Sequence, residues 1–360
     1  MAERLRNRRA VVVGAGSFGT AVAVLLSRAG VRTTLQTRTP EQADTLRDAR
    51  VNAEYLPDVA FPRELRVEVA SEGLRRADYV FLAVPSRGLD EVIAELTGDG
   101  LDPRACVISL AKGLVPPAGV APTALLRELL GPDRVACVGG PAHAREMVSA
   151  GAGLVAASSS ESLAANVSRM FTAAGVVCEV SSDPVGVELA GAAKNAAALA
   201  AGATEAQGLN AAGAAAGHIF AEVWRFAEAQ GARPESLIGL AGTGDLVATA
   251  LAPQSRNRRA GELLADGVPA AEIPEHIGQA IEALESVPLL AQALTAAGVE
   301  APVTAALGRL ISGELPLDDW VALVRTTVPP PARFGRRAGV WRRLWQRVRG
   351  WFSRDARPAS

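Results

Sequence analysis

Two textures divide the chain. In the first half, short apolar runs recur and each closes on glycine, proline or small polar residues. They are Ala10–Val13, "VRTTLQTR" (31–38), "ADYVFLAVPS" (77–86), "ACVISLAKG" (105–113) and "VACVGGP" (135–141). Continuous apolar runs of this length, separated by helical stretches, predict strands buried on both faces of a parallel sheet. After "VSSDPVGVELAG" (180–191) the strand runs stop, and alanine-rich helical patterns continue to about Arg325. The expected architecture is α/β: an N-terminal Rossmann-type doubly wound parallel sheet followed by an all-α C-terminal domain. The boundaries fall at 1–187 and 188–328, with Glu188 and Lys194 opening a long helix that crosses between the two domains. A third segment, 329–360, begins at the "PPP" break of 329–331, which should end the globular body.

Composition narrows the class. With 360 residues, 49% hydrophobic and 21% charged, the chain can build two cores as a soluble globular protein. The opening "MAERLRNRRAVVVGAG" is basic and then apolar, but the apolar run is too short for a secretion signal, and no segment is apolar for long enough to span a membrane. Cys106, Cys137 and Cys178 lie in strand-like runs without metal-site or CxxC spacing. They read as buried reduced thiols of a cytoplasmic protein. His143, His218 and His276 are scattered, so no metal is expected, and nothing points to nucleic acid.

Charge changes the picture at the C-terminus. The net charge is −1, yet the segment from Ala332 to Ser360 holds nine arginines and one acid, Asp355, a balance of +8 against −9 for the body. Within it, Trp341, Leu344, Trp345, Val348 and Phe352 recur at helical spacing, with arginines filling the other face. A basic amphipathic helix of this kind suits peripheral contact with an anionic membrane. Packing on the body or on a partner subunit, or a solvated tail, is the competing reading.

Two local patterns carry chemistry. "GAGSFG" follows the first apolar run and opens a helix, so Gly14, Gly16 and Gly19 form GxGxxG. Such a turn brings backbone close to a pyrophosphate at a helix N-terminus. The next strand ends in Gln36, Thr37 and Arg38, with no acid to hold a ribose 2′-hydroxyl. Arg38 could grip a 2′-phosphate, which leans toward NADP or toward use of both NADP and NAD. The second pattern is an omission. Lys and Arg number 37, yet only Lys112 and Lys194 are lysines. A buried ammonium can lose its proton near neutral pH and a guanidinium cannot. Lys112 also follows a strand end, where open parallel sheets bind ligands.

At this point the chain resembles the bacterial-type NAD(P)-dependent glycerol-3-phosphate dehydrogenases. The ordered motifs are GAGSFGTA (14–21), NxxYLP (52–57), AVPS (83–86), SLAKGL (109–114), GPxxAxE (140–146), ExxGxxKN (188–195), GLAGTGDL (239–246), SRNRR (255–259) and GQAIE (278–282). Both lysines fall inside them. The resemblance implies reversible hydride transfer between NAD(P)H and C2 of dihydroxyacetone phosphate, giving sn-glycerol 3-phosphate for phospholipid synthesis. It implies Lys194, Lys112 and Asp245 as catalytic residues. It places the phosphorylated substrate on Lys112, Gly140, Lys194, Asp245, Ser255, Arg256 and Asn257. It places the cofactor on Gly14, Gly16, Ser17, Phe18, Gly19, Arg38, Tyr55, Lys112, Ala144, Arg256, Ala280 and Glu282. A homodimer is expected.

The chain also departs from the family. Ala142 replaces a serine or threonine after GP, which removes one substrate hydrogen bond. Gly217-His218-Ile219 stands where an arginine is usual, Ala283 where a glycine is, and Ala250 where a cysteine is. Two other readings therefore stay open: a reductase of a related two-domain family acting on another small keto compound such as ketopantoate, and a non-catalytic NAD(P)-binding paralogue.

Overall fold

In this computed structural model the described residues are 5–328, apart from 71–73, 99, 118, 253–254 and 280. The tail at 329–360 and Ala280 lie outside them. Residues up to Thr327 form one compact unit.

The first half is a wound sheet. Its elements are β1 (Arg9–Val13), α1 (Ser17–Arg28), β2 (Arg32–Thr37), α2 (Pro40–Ala49), the short hairpin β3 (Val51–Asn52) and β4 (Leu56–Ala60), then β5 (Arg66–Val69), β6 (Tyr79–Leu82), α3 (Leu89–Gly98), β7 (Cys106–Ser109), α4 (Pro122–Leu130), β8 (Val135–Gly139), α5 (Ala144–Ser149), β9 (Gly153–Ser158), α6 (Glu161–Ala173) and β10 (Val177–Ser181). The order across the eight-stranded sheet is β10-β9-β8-β7-β6-β1-β2-β5. The six strands from β5 to β8 run parallel, and β9 pairs antiparallel with β8. The sheet is thus parallel-dominated rather than wholly parallel, as the last two strands run the other way. The strand order reverses between β1 and β6, so the crevice where such sheets take ligands lies beyond their carboxyl ends. Every residue of β6 and β8 is buried, as the uniform apolar runs require. β10, the strand-like run around Cys178, is an edge strand with an exposed face. Cys137 is buried in β8, but Cys106 and Cys178 are only partly covered, contrary to expectation.

The second half is helical: α7 (Pro184–Thr204), α8 (Leu209–Ala229), α9 (Pro234–Ile238), a π-helical turn at Leu240–Gly244, α10 (Asp245–Leu251), α11 (Arg256–Ala265), α12 (Ile273–Ile277), α13 (Glu282–Ala296), α14 (Pro302–Ile311) and α15 (Leu317–Thr326). None of the described helices is long and apolar enough to cross a membrane.

α7 organises this half. Nearly all of its 21 residues are buried, so it carries no polar stripe. A helix surrounded by others needs small side chains to let them approach, and its sequence is accordingly alanine and glycine. Against α11 the backbones touch. A Cβ on Gly202 would lie 2.0 Å from the Arg258 carbonyl oxygen, and one on Gly261 would lie 2.1 Å from that of Leu199. At the other end, a Cβ on Gly191 would meet Lys112 Cβ at 3.4 Å, so α7 also leans on the segment after β7.

Buried acids tie the helices together. Five of the described helices, α2, α4, α7, α9 and α14, begin with proline, which leaves the following N–H groups to be capped, and buried acids serve four of them. Asp183 accepts from Gly186 N at the start of α7, and from Arg233 N and Ser236 Oγ. Glu188, reaching out from α7, accepts from Thr123 N and Thr123 Oγ1 at the start of α4. Glu222 accepts from Val303 N, Thr304 N and Thr304 Oγ1 at the start of α14. Burial pushes the Glu188 carboxyl up to about 8, while the donors on Thr123 and Ser109 hold it down.

The α7–α11 crossing should be intolerant of one methyl group. Gly261→Ala is expected to destabilise the chain by at least about 2 kcal/mol, at the scale of core overpacking or above. Urea unfolding would measure it, and a loss below ~0.5 kcal/mol would show that the helices can separate freely.

Candidate active site

The glycine turn sits where the sheet order reverses. Gly14 ends β1 with φ of 107°, and a Cβ there would lie 2.7 Å from the Ala83 carbonyl oxygen. A Cβ on Gly19 would lie 2.0 Å from the Gly14 carbonyl oxygen. Gly16 caps α1, and a Cβ on it would meet nothing within 4 Å. Two glycines therefore seal the turn onto the sheet, and the third leaves backbone open at a helix N-terminus. This cradle fits a dinucleotide pyrophosphate. Asn52 from β3 holds it in place: its Nδ2 donates to the Ala15 carbonyl and to Thr20 Oγ1, each at 2.8 Å. Ser17 and Phe18 form the first turn of α1.

Beyond the cradle lies a charge cluster. Lys112, three residues past β7, donates from Nζ to Asp245 Oδ2 at 2.7 Å and to the Gly140 carbonyl at 3.1 Å. Its ammonium also lies 5.9 Å from the centre of the Phe18 ring. Lys194, from the middle of α7, places Nζ 3.7 Å from Asp245 Oδ1 and 3.4 Å from Thr249 Oγ1. One carboxylate thus stands between two ammonium groups. The three side chains are 15%, 11% and 4% exposed for Lys112, Lys194 and Asp245, so solvent screens them little. The shorter contact of Asp245 is with Lys112. Burial lowers the Lys194 ammonium to about 8, with Lys112 and Arg256 pushing the same way and Asp245 and Glu282 opposing them.

A polar relay connects this cluster to the helices behind it. Asn195, fully buried, donates from Nδ2 to the Lys112 carbonyl at 3.2 Å and to Glu282 Oε2 at 2.9 Å. Its Oδ1 accepts from Asn257 Nδ2 at 2.8 Å. Asn257 Oδ1 in turn accepts from the Ala283 backbone N–H at 3.2 Å. The alanine that replaces the usual glycine at 283 keeps that donor. Ser255 caps α11, its Oγ accepting from Arg258 N, and Arg256 is the first residue of that helix. Arg256 donates to the Gln279 side-chain carbonyl at 3.2 Å.

Most of the expected residues converge here. Lys112 bonds Gly140 and Asp245 directly, Lys194 forms an ion pair with Asp245, Asn195 links Asn257 and Glu282 to the Lys112 carbonyl, and Phe18 lies against Lys112. Ala144 opens α5, which packs on α1. Arg38 and Tyr55 stand apart, beyond β2 and in the β3–β4 turn, and Ala280 lies outside the described residues. Glu188 does not join the lysines, because its carboxyl is turned to α4. Three contributors went unassigned in the sequence. Asn195 directly follows Lys194, Thr249 is one helical turn from Asp245, and Asn52 opens the NxxYLP stretch. The i,i+4 spacing of Asp245 and Thr249 was a usable signal.

Two family models match the chain: the NAD-dependent glycerol-3-phosphate dehydrogenase N-terminus over residues 9–165, and its C-terminus over 183–322. The glycerol-3-phosphate dehydrogenase [NAD(P)+] of Methylococcus capsulatus is 37% identical over 326 residues, covering 89% of this chain and 97% of that protein. The Deinococcus radiodurans protein of the same name is 39% identical over 313 residues, covering 84% and 90%. The crystal structure of glycerol-3-phosphate dehydrogenase from Coxiella burnetii superposes with a TM-score of 0.84 at 29% identity, covering 89% of this chain and all of that one. The chain belongs to the NAD-dependent glycerol-3-phosphate dehydrogenase family.

Proposed function

We propose that the two-lysine cluster is the catalytic centre at which this chain reduces dihydroxyacetone phosphate to sn-glycerol 3-phosphate, and reverses the reaction. The enzyme is an NAD(P)-dependent oxidoreductase whose usual role is to supply phospholipid synthesis, and the family assignment sets the ketopantoate and non-catalytic readings aside. The observation that carries the proposal is a buried lysine lowered to about 8, 3.7 Å from a carboxylate it shares with a second lysine.

Bound NAD(P)H supplies the hydride. The chain's own groups must then deliver a proton to the oxygen at C2 as negative charge develops on it. Lys194 suits this because its ammonium is already weakened by burial and by Lys112, so the proton leaves readily. Lys112 stays beside the same oxygen as a fixed cation, anchored by Asp245 and the Gly140 carbonyl. Asp245 keeps both ammonium groups in place and leaves one net positive charge to face the developing alkoxide. The phosphate of the substrate goes to the N-terminus of α11, where Arg256 offers a planar fork and Asn257 an amide.

The direction of pH dependence follows from the proton. Ketone reduction needs Lys194 charged, so its kcat should fall as pH rises through about 8. Alcohol oxidation needs the neutral amine and should rise through the same range. Lys194→Ala should lower kcat by roughly 10²–10⁴-fold, the scale of general acid catalysis, and Lys194→Arg should not rescue it. Spectrophotometric turnover in both directions tests this, and near-normal rates in either variant would remove Lys194 from the chemistry. The phosphate reading has its own test. Arg256→Ala should chiefly raise the KM for dihydroxyacetone phosphate, and added inorganic phosphate should restore part of the activity. An unchanged KM would make the arginine a bystander to the substrate phosphate.

Two further parts of the proposal concern assembly and place. We propose a homodimer, which light scattering would show as twice the mass of the chain. We also propose a cytoplasmic enzyme whose basic tail touches anionic membrane, on the strength of the tryptophan and arginine pattern at 339–352. Each arginine near an anionic leaflet is worth about 1 kcal/mol and is sensitive to salt. The full chain should co-sediment with phosphatidylserine vesicles and not with phosphatidylcholine vesicles at low salt. Removal of residues from Ala332 onward should abolish this and spare turnover. Equal partitioning of both chains would show the tail to be idle toward membranes.

A further inference from the structure

The end of β2 carries no acid, which left Arg38 as the sole sequence signal for cofactor choice. The structure adds one. An open cavity of about 570 Å³ runs along α2, and both Arg38 and Glu54 line it. Glu54 comes from the β3–β4 turn, sixteen positions after Arg38 and out of register with any signal in β2. The two charges also meet at a third group. Glu54 beside the Tyr55 hydroxyl raises its pKa, chiefly through a hydrogen bond, and Arg38 acts on the same hydroxyl in the opposite sense.

This turn is not free to drift. Asn52, two residues before Glu54, is 2% exposed and bonded to the Ala15 carbonyl and Thr20 Oγ1 of the pyrophosphate cradle. Its Oδ1 also accepts from Tyr55 N at 3.3 Å. The hairpin that carries Glu54 is thereby tied to the loop that positions the cofactor. In folds of this kind the ribose next to the adenine lies at the end of β2, and an acid there accepts from its 2′-hydroxyl.

We propose that Glu54 is the specificity-determining acid of the cofactor site, accepting from a 2′-hydroxyl and opposing the 2′-phosphate that Arg38 attracts. A hairpin residue so replaces the acid missing from β2. Arg38 and Glu54 pull the choice in opposite directions, which gives the chain use of both NAD and NADP. Glu41, from the first turn of α2, lines the same cavity. It is the weaker candidate because it belongs to α2, whereas Glu54 sits on the hairpin tied to the cradle through Asn52 and acts with Arg38 on Tyr55.

The proposal rests on the dehydrogenase reading, and equilibrium binding of adenosine fragments separates the two. The probes are 5′-AMP and 2′,5′-ADP, titrated by calorimetry into the full chain and into Glu54→Gln, Glu41→Gln and Arg38→Ala. Glu54→Gln should tighten 2′,5′-ADP by roughly threefold to tenfold, the scale of one or two exposed charge contacts. It should weaken 5′-AMP, and about 0.5 M salt should shrink the 2′,5′-ADP gain, because salt screens exposed charges. Arg38→Ala should weaken 2′,5′-ADP alone. If both probes bind and the ratio between them is unmoved in Glu54→Gln, the acid has no part in the choice and the proposal is overturned. A shift confined to Glu41→Gln overturns it equally, by moving the role to the other acid. If neither probe binds the unaltered chain, the cofactor reading itself falls, and this inference falls with it.

Discussion

One buried carboxylate holds this site together. Asp245 lies between Lys112 and Lys194, at 2.7 and 3.7 Å. Two ammonium groups brought out of water would repel each other and lose their hydration, and a single carboxylate can offset only one of them. The cluster therefore keeps one positive charge that it cannot neutralise from within. The protein meets that imbalance by weakening one cation, Lys194, rather than by adding a second acid at the same distance. An arginine in either place would leave the imbalance permanent, because guanidinium does not release its proton. The scarcity of lysine elsewhere, with two against thirty-five arginines, shows how specific that requirement is.

Everything around α7 follows from placing Lys194 in the middle of a buried helix. The ammonium must reach Asp245, so α10 has to start beside α7, and the π-helical turn at Leu240–Gly244 delivers it there. That turn is close-packed: a Cβ on Gly242 would lie 2.0 Å from the Leu237 carbonyl oxygen. Gly239 and Gly242 of "GLAGTGDL" are thus required by backbone contact before any contact with a ligand, whereas Gly244 has room for a side chain. The same constraint explains the alanines of α7. Its neighbours α8, α11 and α13 and the carboxyl end of the sheet approach from different sides, and only small residues let all of them reach it.

Much of this was legible in the sequence, for physical reasons that differ by element. β1, β6, β7 and β8 are buried on both faces, so their apolar runs stood out. The glycine turn was readable because its spacing is fixed by contacts with Ala83 and within the turn itself. The two lysines were readable because they were rare. The hairpin of β3 and β4 escaped because two- and five-residue strands carry no usable period, whereas the strand-like run around Cys178 is β10. The reversal of β9 was hidden for another reason: direction leaves no mark in a short apolar segment. Asn195 was in view, inside ExxGxxKN, but a side chain that bonds a backbone carbonyl, a carboxylate and a second amide at once has no pattern of its own. Its partners lie at 112, 282 and 257, and only the fold brings them together.

That relay has a consequence for how the two ends of the crevice communicate. Asn195 grips the carbonyl of Lys112, which belongs to the sheet side, and Glu282 and Asn257, which belong to α13 and α11. The lysine proposed to face the reacting oxygen and the helix N-terminus proposed for phosphate are therefore set by one amide. A displacement of α11 would pull on Asn257, then on Asn195, then on the backbone that carries Lys112. Positioning rather than charge is the contribution of such a group, and small errors in position weaken catalysis steeply. The net charge agrees with this division. Outside the tail the body is strongly acidic, so the positive cluster in the crevice contrasts with its surroundings. A crevice that carries fixed positive charge between low-dielectric walls focuses the field there, which favours the approach of an anion. In the proposed mechanism the surplus cation that weakens the Lys194 ammonium also attracts the anionic substrate.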